Sequence, residues 1–118
     1  MKKYFFVKVD GKFIKINLHE ITYIAACQNY LKIVVPGDVY VVHMTLRKME
    51  EELPSDLFFR IHRSYIVALD KVEAFQREKV YLCGGISLPL SDDFKNAFEN
   101  QFWIINKNVA KPVMSLYD

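Results

Sequence analysis

The sequence predicts a mostly β, antiparallel domain with two short helices. Three observations carry this. Short apolar segments recur along the first two-thirds of the chain, each bounded by Gly, Asp, Asn or Pro. The dipeptide Asp10-Gly11 separates two such segments in the manner of a tight hairpin. Helical spacing of apolar residues appears in only two places, each after a residue able to cap a helix.

The elements follow in order. YFFVKV (4–9) and KFIKI (12–16) flank Asp10-Gly11, where Gly supplies the positive φ that the turn needs. ITYIAAC (21–27) and YLKIVV (30–35) flank the polar pair Gln28 and Asn29. PGD (36–38) turns the chain into VYVVH (39–43). Thr45 caps a helix over 46–53, with Leu46, Met49 and Leu53 on one face, and Pro54 ends it. The segment FFRIHRSYIVAL (58–69) comes next, then KVEAF (71–75), KVYLC (79–83), a Gly84-Gly85 turn and ISLPL (86–90). Ser91 caps a last helix, on which Phe94, Ala97, Phe98, Phe102 and Ile105 recur on one core-facing side. One domain is expected over 1–105, followed by a polar, Pro-interrupted tail over 106–118 that is expected to be poorly ordered.

The chain has 118 residues, of which 52% are hydrophobic and 14% aromatic, enough for one packed core. The net charge of +2 excludes a polycation but not a local basic face. The opening apolar run stops at Lys8, too short for a signal peptide, and no stretch approaches bilayer length. The expected location is cytoplasmic. Cys27 and Cys83 form no close pair and read as two buried thiols in a reducing compartment.

Enzymatic chemistry finds little support. His19, His43 and His62 have no metal-ligand spacing to one another or to a cysteine, so no metal site is expected. There is no phosphate-binding glycine loop, dinucleotide fingerprint or nucleophile elbow, so neither a cofactor nor a catalytic residue is assigned. Ser64 follows His62 by two residues, but no acid near in sequence could orient that pair. Glu50, Glu51 and Glu52 read as a solvated helix face.

Two stretches stand out because they lack acids. In 58–69 the basic groups are Arg60, Arg63 and His62, joined by the hydroxyls of Ser64 and Tyr65. Arginine offers a planar fork that fits phosphate oxygens or the O6/N7 edge of guanine. Arg60 and His62 alternate with Phe59 and Ile61, so the strand is expected to bury one pair and expose the other. The bland alternative is a charged edge strand that blocks aggregation. In 28–32, Gln28 and Asn29 carry amides suited to adenine, beside Tyr30 and Lys32. The alternative there is an ordinary polar turn. His62 can equally serve as a neutral, partly buried ring that orients the Arg63 corner.

Taken in this order, the pieces resemble the LytTR family of bacterial DNA-binding domains. The resemblance rests on FVKVDGKFIKINLHEITYIAACQNYLKIVV, TLRKMEEELPSDLFFRIHRSYIVAL and VYLCGGISLPLSDDF, and covers about residues 2–105. FFRIHRSYIVAL is its most specific piece. The resemblance implies three short antiparallel sheets with two short helices, and DNA read by loops rather than by a recognition helix. It also implies a sequence-specific transcription regulator, of the kind that forms the output half of a two-component response regulator; these 118 residues contain no receiver domain, so the chain is either part of a longer regulator with a receiver upstream or a stand-alone member. The implied partner is double-stranded DNA carrying direct repeats, with two copies per site.

Carried over residue by residue, one base-reading position falls on Asn29 and Tyr30, a second on Arg63 within His62-Arg63-Ser64, and a third on Asp92. A phosphate-contacting position falls on Lys95, and Lys32, Ser64 and Arg60 are further phosphate candidates. Asp92 departs from the family pattern, which commonly has a basic or amide residue there. Asp92 and Asp93 suit the first turn of a helix but repel phosphate. The loop then faces away from DNA, accepts from a cytosine amino group, or weakens binding. The competing reading is a module of this shape that has lost DNA affinity and binds a protein.

Overall fold

A computed structural model of the chain describes residues 2–105; the tail expected over 106–118 lies outside them. In chain order the strands are β1 (Tyr4–Val9), β2 (Lys12–Asn17), β3 (Tyr23–Cys27), β4 (Tyr30–Val35) and β5 (Asp38–His43). Helix α1 (Leu46–Glu52) precedes β6 (Phe58–His62), β7 (Tyr65–Ala68), β8 (Val72–Gln76), β9 (Lys79–Leu82) and β10 (Ile86–Pro89), and α2 (Asp92–Glu99) follows. Two single-turn 3-10 helices, Leu18–Glu20 and Leu69–Lys71, lead into β3 and β8. They were not foreseen, and they sit together: the Lys71 ammonium donates to the His19 carbonyl at 2.7 Å.

The strands form three antiparallel sheets, β1-β2, β5-β4-β3-β7-β6 and β10-β9-β8, as expected. The β1-β2 turn places Asp10 at φ +50° and Gly11 at φ +79°. Two successive positive φ values match the right-handed twist of the flanking strands, which is why Asp-Gly closes this hairpin.

The five-stranded sheet is the spine, and each of its faces builds one core. On the first face Ile24, Leu31, Ile33, Val42 and Ile66 pack against Leu46 and Met49 of α1 and Ile16 and Leu18 of the β1-β2 arm. Thr45 fixes the start of α1, its hydroxyl accepting from the Lys48 N–H at 3.1 Å. On the second face Tyr23, Phe59, Ile61, Tyr65 and Val67 pack against Val80, Leu82, Leu88 and Phe98. Phe98 is fully buried, with its ring centroid 5.2 Å from Phe75 and 5.1 Å from Phe102. These are edge-on arrangements, which the ring quadrupole favours.

Two expectations are corrected here. The helical stripe does not reach Ile105, because α2 ends at Glu99 and the Gln101 and Phe102 N–H groups close tighter turns onto Phe98 and Glu99. Phe94 and Phe102 remain half-buried beside Phe98, whereas Ala97 is exposed and Ile105 is 83% exposed. Periodicity extrapolates only while the helix continues. Cys27 is exposed and Cys83 half-buried, both as free thiols. Cys27 lies at the end of β3, on the second face, where alternation also places Tyr30, Lys32, Val41 and His43, all exposed.

Truncating Phe98 to Ala is expected to cost about 3–5 kcal/mol through lost burial and cavity formation. Urea unfolding with an unchanged m-value would check it. Thr45→Ala is expected to cost about 1 kcal/mol in the same assay.

Candidate nucleic-acid interface

The two acid-free stretches become two tight turns at one end of the five-stranded sheet. Gln28 and Asn29 form the two-residue turn between β3 and β4, closed by the Cys27–Tyr30 pair. Gln28 has φ +57°, a region that side chains with a Cβ rarely occupy. Tyr30 is 46% exposed, its ring edge-on to His43 at 5.2 Å. Lys32, one pleat further along the same face, is exposed between Ala25 and Val41.

Arg63 and Ser64 form the second turn, between β6 and β7, closed by the His62–Tyr65 pair. The simple alternation expected for β6 fails here. The register shifts between Arg60 and His62, so Ile61 is an extra residue in the strand. A bulge of this kind re-aims the side chains beyond it. Ile61 is fully buried in the second core, and His62 lies beside the Tyr65 ring at 5.4 Å. Arg60 instead lies opposite Ile66 with its side chain only 20% exposed. Arg60 and His62 therefore do not share an exposed face.

His62 orients the corner directly: its Nδ1 accepts from the Ser64 N–H at 3.1 Å. The proton of the neutral ring then resides on Nε2. The Arg60 guanidinium donates from Nε to the His62 carbonyl at 3.3 Å and from Nη2 to the Arg63 carbonyl at 2.6 Å. Its Nη1 donates to Glu50 Oε1 at 3.2 Å. The Arg63 side chain sits on an exposed residue at the tip.

Backbone hydrogen bonds assemble the predicted positions. The Ala26 N–H donates to the Ser64 carbonyl at 2.8 Å, docking the second turn beside the first. The Ser91 N–H donates to the Ile61 carbonyl at 2.9 Å, so α2 starts next to the bulge. Ser91 occupies the cap position without a side-chain cap bond. Asp92 and Asp93 are exposed in the first turn of α2, where the helix dipole favours them. Lys95, one turn on, lies 4.0 Å from Glu99, a surface pair worth at most about 1 kcal/mol.

An open groove of about 610 Å³ runs between the turns and the start of α1, bordered by Gln28, Asn29, His43, Arg47, Arg60 and Arg63, with no acidic residue in its wall. Sequence reasoning missed Arg47 as a wall of this groove, and Glu50 as a partner of Arg60. Nothing local links Glu50 to a strand ten residues away. Among the described residues no group of three His, Cys, Asp or Glu side chains could hold a metal ion. No described helix is long and apolar enough to cross a membrane.

The five-stranded sheet thus presents two polar turns beside a basic groove at one end. The model of the LytTr DNA-binding domain matches residues 11–103, and the chain belongs to that family. This is a family of DNA-binding domains rather than of enzymes. The fold is similar to a solved LytTr DNA-binding domain of a response regulator from Bacillus cereus, with a TM-score of 0.73 and 21% identity over 86% of this chain and 97% of that one. Sensory transduction protein LytT of Bacillus anthracis is 26% identical over 68 residues, 58% of this chain and 28% of that protein. Its counterpart in Enterococcus faecalis is 30% identical over 79 residues, 63% of this chain and 33% of that protein. The chain thus spans about a third or less of the curated relatives that it matches.

Gln28→Gly is expected to stabilise the fold. Relief of the left-handed conformation, about 1–2 kcal/mol, exceeds the added chain entropy of glycine, about 0.5–1 kcal/mol. A rise in thermal midpoint would register it. For His62, nitrogen-15 spectra are expected to report the Nε2–H tautomer; the opposite tautomer would mean the bond to Ser64 is absent.

Proposed function

We propose that this domain binds double-stranded DNA sequence-specifically and serves as the cytoplasmic output module of a two-component transcription regulator. The observation that carries the reading is the Arg63 corner. An exposed arginine tops a two-residue turn whose backbone is held by His62, Arg60 and Ala26. A planar fork on a rigid support suits bidentate contact with guanine.

In this reading Arg63 and the Asn29–Tyr30 turn enter the major groove, and Lys32, Ser64 and Lys95 hold phosphates. Arg47 joins them on the wall of the basic groove. Two copies on direct repeats and a receiver domain elsewhere in the full protein complete the proposal. The similarity to LytT sensory transduction proteins and to a response-regulator domain supports it.

A second reading is favoured by one observation. Asp92 and Asp93 are exposed beside the bulge, where they would repel a phosphate backbone, and a module that binds a protein would tolerate them. Salt distinguishes the two. With about 4 phosphates neutralised, the logarithm of the binding constant should fall with log salt at a slope near about −3.6. A flat response would favour the protein partner.

The test is selection of bound duplexes from a random-core pool, followed by fluorescence anisotropy on the enriched sequence. Arg63→Ala is expected to cost about 1–3 kcal/mol on that duplex and to relax preference at one base pair, whereas Lys95→Ala weakens all duplexes alike. Unchanged binding by Arg63→Ala would remove Arg63 from the interface.

A further inference from the structure

We propose that Arg60 is a positioning residue for base readout, which acts by clasping the Arg63 corner and makes no contact with DNA itself. The inference rests on the DNA-reading function above and assigns the positioning of its arginine, Arg63, to a second arginine on β6.

Three donors of the guanidinium are already engaged. One goes to each of the consecutive carbonyls of His62 and Arg63, and the third to Glu50 on α1. The side chain is 20% exposed. Three of its five donors are engaged, the Nε and Nη2 side of the fork by the two carbonyls, and Glu50 beside it offsets its charge, so the fork is held by the protein even though Arg60 lines the basic groove. Both consecutive carbonyls accept from one cation, so the peptide planes that flank Arg63 are fixed. The His62 ring fixes the same turn through the Ser64 N–H. Because Glu50 lies on α1 and Arg47 lies one turn earlier on that helix, the clasp also ties the groove wall to the corner.

Lysine could supply the charge but not two fixed donors plus a third to Glu50. Arg60→Met keeps the stem packed and removes the fork. The test uses the selected duplex and a scrambled duplex of equal length, at several salt concentrations, together with amide spectra of the free protein. Arg60→Met and Arg60→Lys are both expected to lose about threefold on the selected duplex, less than the loss of a full bidentate pair. Neither should change affinity for the scrambled duplex or the salt slope. In the Arg63→Ala background, Arg60→Met should have no further effect, because the two residues act through one contact.

A fall in slope of about 0.9 would instead make Arg60 a phosphate ligand and overturn the proposal. Additive losses or full rescue by lysine would do the same. The spectra separate this proposal from the function it rests on. If the wild-type protein enriches no sequence, the DNA reading fails, while the clasp still stands or falls on the amides. Shifted or broadened signals confined to residues 62–64 in both variants, with 27–31 unchanged, support it. Signals that stay at their wild-type positions overturn it. Glu50→Gln, which leaves both carbonyl bonds in place, covers a folding failure of the Arg60 variants: a smaller loss with the same unchanged slope is expected, and a steeper slope would show that Arg60 reaches DNA once released.

Discussion

Strand β7 carries the constraint on which both cores depend. Ile66 faces α1 and the β1-β2 arm, Val67 faces β9 and α2, and Ala68 closes the first core again. All three are at most 2% exposed. A strand buried on both faces can pair in one register only, because a slip by one residue would exchange the two cores' contents. That register fixes where β7 begins, and so where the turn at Arg63 and Ser64 stands.

The corner inherits its order from this register. Ala25 pairs with Tyr65, which brings the Ala26 N–H onto the Ser64 carbonyl. The extra residue in β6 then does two things at once. It sends Ile61 into the second core, and it places His62 where its ring accepts from the Ser64 N–H. The strand ends in a defined loop rather than a frayed tip. The turn at Gln28 has a different origin: it accepts a positive φ without glycine, and such strain concentrates at functional positions.

Charge is distributed to match. On α1, Arg47 and Lys48 pair with Glu51 and Glu52 along the exposed face, and Glu50 turns toward Arg60. The three acids of α1 are thus each paired with a base, and none lies in the groove wall. Asp92 and Asp93 are exposed near the turns, and the dipole at the start of α2 explains their presence without reference to any ligand.

Much of this was legible in the sequence because it is local. Asp10-Gly11 specifies its turn, Thr45 caps α1, and Leu46, Met49 and Leu53 mark the buried face of that helix. The residue order across Gln28–Lys32 and Arg60–Ser64 was enough to single out both turns as candidates and to suggest the family. What depends on pairing between distant segments was not legible. Alternation placed Arg60 and His62 together, but one inserted residue separated them. Apolar context placed Cys27 in the core, whereas the second face is exposed at that end of β3. The fate of the Arg60 charge was decided by Glu50, ten residues away on another element. Sequence determines turns, caps and faces, because these follow from each residue's own conformational and burial preferences. Only the tertiary structure decides which charges are free to meet a partner, because that depends on what the fold brings within hydrogen-bonding distance.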